Sequence, residues 1–244
     1  MIVSMNIFNK TLLALFVMMC CACSNGEKRG APAAVPEPPL VQAPDSVEAV
    51  DMGLPSGTKW ANMNVGAEKP EDYGLYFAWA ETRGYPTDTQ RKFNIASYKW
   101  YDQDSDLFIK YCAEGAVGKT DTIRSVEIAD DPARANWGEP WQLPAFDDIL
   151  EFVENTTREW TSINGVEGYT FTSKLNGNSI FVPASGCMGP GGISNQGVYG
   201  YYWSLSLYPS DSGCARGFFF TKELARTSGS TRFLGRTVRP VCKQ

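Results

Sequence analysis

With 244 residues, a formal net charge of −5 and 20% charged side chains, the chain is long enough for one domain of ordinary size plus a leader. Its acidity argues against a general nucleic-acid binder. It contains no histidine, which excludes Ser-His-Asp and Cys-His catalysis, histidine zinc sites and imidazole pH switches; an enzyme here would need carboxylates, Lys, Tyr or Cys.

The leader comes first. Residues 11–23 are an apolar run behind Lys10 that ends at Ala22-Cys23 and turns polar at Ser24-Asn25-Gly26. A membrane-crossing helix needs about 20 apolar residues, so the run is too short to span and matches the apolar core of a secretory signal. Its ending resembles a bacterial lipoprotein signal. That resemblance implies a signal peptide over 1–22 and a lipidated Cys23, with the protein held in the cell envelope at the outer membrane by its acyl chains. Loss of Lys10 with the signal takes the formal charge to −6. Residues 23–48 are rich in Pro and Ala and read as an extended tether. Residues 49–244 carry aromatics throughout and no second linker, so a single domain is expected there.

Within the domain, Thr58 to Val65 follows the turn Pro55-Ser56-Gly57 and is expected as a strand. Asp102, Asp104 and Asp106 alternate as in a calcium loop, but Leu107 and Ala113 stand where glycine and glutamate are needed. Gly115 to Thr120 resembles the end of a phosphate-binding loop without its first glycine. No metal or other cofactor is expected. Phe146, Ile149, Leu150 and Val153 keep helical spacing and predict a helix over 146–155, with Asp147, Asp148, Glu151 and Glu154 together on its water-facing side. Beyond it, short β segments at 168–173, 179–182, 201–206, 217–221 and 236–239 are separated by Asn-Gly, Gly-Pro and Ser-Gly turns, and Asn176-Gly177 is the hairpin signal singled out. The pattern is α+β. Cys112, Cys187, Cys214 and Cys242 allow two disulfides in any of three connectivities.

Several blocks in order give a more specific picture: Val50 to Ala67, Pro70 to Thr82, Ala135-Asn136-Trp137-Gly138, Trp141-Gln142-Leu143-Pro144, Asn176 to Gly186, Gly200 to Ser204 and Arg236 to Val241. Together they resemble the Fibrobacter succinogenes major paralogous domain of exported lipoproteins, a family similar to the C-type-lectin-like superfold. The resemblance implies a C-type-lectin-like fold of mostly short antiparallel strands, a few helices and long irregular loops. The chain departs from the family at Gln142, at Ala80 and at Ala145, which replaces a helix-capping threonine. Trp60, Trp79, Trp137, Trp141, Trp160 and Trp203 are expected to fill the core rather than to stack sugars.

The segment between the last two blocks resembles the ligand-facing region of variable receptor-binding relatives. It supplies the candidate ligand-binding residues Tyr208, Ser210, Asp211, Arg216, Lys222, Arg226, Ser228 and Ser230, a Tyr, Arg and Ser mixture suited to recognition. Arg232 and Arg239 are expected to be structural. Three readings follow: a lipid-anchored, non-catalytic module binding a glycan or protein ligand at the cell surface; a structural envelope lipoprotein packed against partner subunits; and an enzyme of the formylglycine-generating type. The last is disfavoured because that family uses a closely spaced cysteine pair, and Cys187, Cys214 and Cys242 are far apart.

Overall fold

The structure, a computed structural model, describes residues 36–112, 118 and 121–243. The expected signal peptide, Cys23, the first part of the expected tether and most of the phosphate-loop look-alike lie outside the described residues. No described helix is long and apolar enough to cross a membrane.

The tether expected to run to residue 48 meets the domain sooner. Val41, Ala43 and Val47 pack on a core cluster, the Val41 N–H donates to Asn136 Oδ1 at 2.8 Å, and Arg83 faces Glu37 at 3.7 Å. β1 (Ala49–Asp51) and β2 (Lys59–Ala61) then pair antiparallel, Val50 opposite Trp60. The expected strand over 58–65 is this short because the chain leaves the ladder after Ala61.

A long irregular stretch follows, broken by the small hairpin β3 (Tyr101–Asp102) and β4 (Leu107–Phe108). Side chains hold it. Glu81, itself buried, accepts from the Lys99 N–H and pairs with Arg91 at 2.6 Å, and the Arg91 guanidinium lies 4.6 Å from the Tyr85 ring and 4.8 Å from that of Phe93. Helix α1 (Pro132–Trp137) is set by its ends. Asp131 caps the Ala133 and Arg134 amides at 2.8 and 3.2 Å, Pro132 fills the first position, and Gly138 leaves the helix at φ +70°.

β5 (Trp141–Gln142) leads into α2 (Phe146–Asn155), with the bounds the apolar spacing predicts. Ala145 offers no side-chain cap, so the Asp148 carboxylate accepts from the Ala145 N–H at 2.7 Å instead. The expectation that the four acids share the solvent side needs correction. Asp148 is only 5% exposed and pairs with Lys243 at 2.9 Å, while Glu151 accepts from both the amide and the hydroxyl of Ser56. These contacts turn one edge of the helix toward β2 and the last strand, and leave Leu150 exposed.

Two three-stranded antiparallel sheets follow. The first comprises β6 (Thr156–Ile163), β7 (Val166–Ser173) and β8 (Ser179–Pro183). Its tightest turn is Asn164-Gly165, both at positive φ (+50° and +82°) between the paired Ile163 and Val166, the geometry of a two-residue hairpin. The hairpin expected at Asn176-Gly177 forms, but over the wider connection 174–178, because Asn176 and Asn178 both donate their side-chain amides to the Asp51 carbonyl. The short pair β9 (Cys187–Gly189) and β10 (Gly192–Ser194) intervenes. The second sheet comprises β11 (Gly200–Leu207), β12 (Cys214–Phe220) and β13 (Ala225–Thr231), with a register shift in β11 between Trp203 and Leu207.

The segment 236–239 is not the strand expected. It makes isolated bridges, Arg236 to Phe77 and Thr237 to Tyr202, because its backbone groups are shared among several partners: Arg236 exchanges bonds with Phe77, and the Thr237 and Val238 carbonyls accept from the Trp203 and Val65 amides. The chain then forms β14 (Val241–Cys242), which enters the first sheet between β2 and β5 to give the order β1-β2-β14-β5. The result, among the described residues, is mostly short antiparallel strands with two α-helices, consistent with the α+β expectation. One apolar cluster gathers Trp79, Trp137, Trp141 and Trp203; another places α2 residues Ile149 and Phe152 against Phe171, Phe218 and Phe220. Of the tryptophans expected inside, Trp160 alone is partly exposed, edge-on to Tyr169 at 5.1 Å.

Candidate recognition face

Register assigns each side chain of the second sheet to a face. Tyr202, Phe218 and Thr227 stand opposite one another across β11, β12 and β13, as do Tyr201, Phe219 and Arg226 on the alternate face. The first set looks toward α2, through Phe218 and Phe220 against Phe152. The alternate face divides along its length. At one end Trp203, Leu207 and Ala215 enter the tryptophan cluster. At the other, Tyr201 and Phe219 remain half-buried, with ring centroids 5.0 Å apart, and Tyr199 joins them at 6.1 and 5.8 Å. Arg226 is exposed and holds its guanidinium 5.7 Å from the Phe219 ring.

This aromatic cluster has a buried cation beneath it. The Arg236 guanidinium, on a residue only 3% exposed, lies 4.8 Å from the Tyr201 ring and 4.6 Å from that of Trp203. Its Nε and Nη1 have no hydrogen-bond partner among the described residues. Burial lowers its pKa, and burial likewise raises those of the Cys187 thiol and the Tyr201 hydroxyl beside it, Arg236 opposing both shifts. Gly217 makes the arrangement possible: a Cβ there would lie 2.2 Å from the Tyr202 carbonyl oxygen and 3.5 Å from Arg236 Nη1.

The other two closing arginines are structural, as expected. Arg239 donates to Asn64 Oδ1 and to the Ala61 and Phe181 carbonyls at 2.7–3.0 Å, and burial pulls its pKa down to about 10. Arg232 donates to the Tyr111 and Lys110 carbonyls and lies 4.0 Å from the Phe108 ring. None of the three pairs with a carboxylate among the described residues.

The eight predicted ligand-binding residues do not converge. Arg226, Ser228 and Ser230 share the aromatic face by register. Arg216 is on the other face, its guanidinium 3.9 Å from the Phe146 ring of α2 and 6.0 Å from that of Tyr208. The Tyr208 ring covers Gly229, where a Cβ would meet it at 2.6 Å. Ser210 and Asp211 occupy the β11–β12 connection, where Asp211 Oδ1 accepts from the Gly213 N–H. Lys222 sits at the opposite end, in the β12–β13 turn, its carbonyl accepting from the Tyr169 hydroxyl at 2.8 Å.

Tyr199, Tyr201 and Phe219 escaped the sequence reading. Tyr199 and Tyr201 do alternate, but Phe219 joins them only through the β11–β12 register. Among the described residues no group of three or more Cys, Asp or Glu is arranged to hold a metal, and Cys112, Cys187, Cys214 and Cys242 are all free thiols. No family model, curated protein or solved structure matches the chain.

Proposed function

We propose that the protein is an exported, lipid-anchored binding module whose C-type-lectin-like domain recognises a glycan or protein ligand at the cell surface and carries out no chemistry. The observation that carries this reading is the half-exposed cluster Tyr199, Tyr201 and Phe219, edged by Arg226 and underlain by Arg236. Aromatic rings fixed by mutual edge contacts give apolar area at small entropic cost, and the exposed guanidinium at their rim adds forked donors. The short strands, few helices and long side-chain-pinned loops agree with a C-type-lectin-like domain. The apolar run ending at Cys23 supports the anchor.

The chemistry of the interior favours binding over catalysis. The buried carboxylates Glu81, Asp131 and Asp148 are each taken up by a cation or by backbone amides rather than facing one another across a cleft. The Cys187 thiol is pushed up by burial, which keeps it protonated and a poor nucleophile.

The test is a glycan array and an envelope pull-down with residues 36–244, a span that keeps Val41, Ala43 and Val47 on the core. Phe219→Ala is expected to weaken binding more than tenfold and Arg226→Ala about fivefold, as for an aromatic anchor and a rim cation. Arg216→Ala, on the other face, should leave binding unchanged. Equal losses from Arg216→Ala and Arg226→Ala would move the site away from the aromatic cluster. One stoichiometric protein partner with no glycan signal would favour the structural envelope lipoprotein.

A further inference from the structure

The outer edge of β13 is an open hydrogen-bonding surface. Besides its ladder to β12, no backbone group of residues 225–230 bonds to another described residue, and the hydroxyls of Thr227, Ser228 and Ser230 have no partner among them. No residue of the strand is buried. Open edges invite further pairing, and proteins ordinarily blunt them with charge, proline, a bulge or a very short strand. The opposite edge of the sheet, β11, is covered by bonds to residues 124–126, Pro144 and Thr237, and other edges among the described residues follow that rule. β6 carries exposed Arg158 and Glu159 side by side, β8 ends on Pro183, and β1 has three residues. β13 has seven residues in unbroken register with β12, no proline, no bulge, and Arg226 as its only charge.

We infer that β13 is a self-association edge, pairing antiparallel with β13 of a second copy about a two-fold axis through Ser228. That register overlaps the whole strand. It sets Ser228 opposite Ser228, Thr227 opposite Gly229, Arg226 opposite Ser230 and Ala225 opposite Thr231. No like charges meet, and the two Arg226 side chains are held about 14 Å apart along the sheet, at about 3.4 Å per residue. Small hydroxyl side chains at the centre let the backbones approach without steric cost. The strand is thus complementary to itself, which selects a second copy over an unrelated peptide. Directly opposed residues share a face, so the joined six-stranded sheet carries both Tyr201–Phe219–Arg226 faces on one side. The pairing depends only on the edge, and stands whether or not those faces bind a glycan. A single strand pair falls below the about 1,200 Å² of a stable interface, so the association is weak and concentration-dependent.

The full chain carrying Ser228→Cys, produced with its own signal and oxidised in the envelope, is expected to give a reducible homodimer at least tenfold above the native chain. Thr157→Cys on the β6 edge should stay at the native level. In detergent, sedimentation of the native chain should show a dimer rising with concentration. Ser228→Lys, which sets two ammonium groups face to face, should abolish it with an unchanged thermal midpoint. Three results would each overturn the assignment: Ser228→Cys yielding no more dimer than Thr157→Cys, its crosslinks running to a different protein, or a Ser228→Lys chain that dimerises as before.

Discussion

The two three-stranded sheets are built from similar material and fixed in different ways. β6–β8 is local: adjacent strands join through a two-residue and a five-residue connection, and its ladder runs unbroken from Thr156–Ser173 to Ile163–Val166. β11–β13 is held from outside. Tyr202 bridges to Thr237, the Trp203 indole donates to the Phe77 carbonyl at 2.7 Å, and Arg236 fills the space over Gly217. A sheet fixed by remote contacts can carry a shift of register and keep aromatic rings half out of the core.

The largest expected effect is at Arg239, which ties β8 to β2 and packs beneath Tyr202 and Phe218 of the second sheet. Arg239→Ala strips the bonds from the Ala61 and Phe181 carbonyls and from Asn64, and enlarges the small void, about 10 Å³, that Arg239 lines with Tyr202 and Phe218. Urea unfolding should show a loss of about 4 kcal/mol. Gly217→Ala comes next, at about 3 kcal/mol, because the new Cβ meets backbone rather than a movable side chain. Its counterpart in the first sheet, Gly165→Ala, has open space around it and is strained only by its φ of +82°, so about 1 kcal/mol is expected. Equal losses from the two glycine variants would break the comparison.

The smallest effect is chemical. The Cys214 thiol at the start of β12 is pushed up to about 11 by burial, by its hydrogen bond to Asp211 and by that carboxylate's charge. Its alkylation by iodoacetamide in the native protein should therefore be slow at pH 8 and rise only toward pH 11. Because the folded-state value is raised, any stability it contributes is present below the ordinary thiol range and is lost as pH rises through 11. Asp211→Asn should shift the alkylation profile to lower pH.

Much of the frame was legible where one element buries one face. The spacing of Phe146, Ile149 and Val153 gave α2 its bounds, and short β segments between turn residues marked β7, β8, β11 and β12. β13 was not legible, because Ala-Arg-Thr-Ser-Gly-Ser-Thr is an edge strand with no apolar period. β6 begins directly where α2 ends, with no turn residue to announce it. Asn176-Gly177 carries the hairpin signal, yet the two-residue turn is at 164–165. An asparagine whose side chain is engaged with the Asp51 carbonyl leaves the loop free to widen. Of the eight candidate residues, Arg226, Ser228 and Ser230 share the aromatic face and Arg216 does not, since facing is set by pairing register and not by composition. The burial of Arg236 is equally invisible in a residue type that is usually exposed.

β14 places a late segment at the middle of the sheet that also holds the earliest strands. Val241 pairs with Trp60, roughly 180 residues earlier, and with Gln142 on its other side. Closing so long a loop is costly before any contact rewards it, so this sheet forms late in folding. Until residues 241–242 are in place, β2 and β5 lack their shared neighbour, so the first sheet is a completion latch that only the finished chain can close.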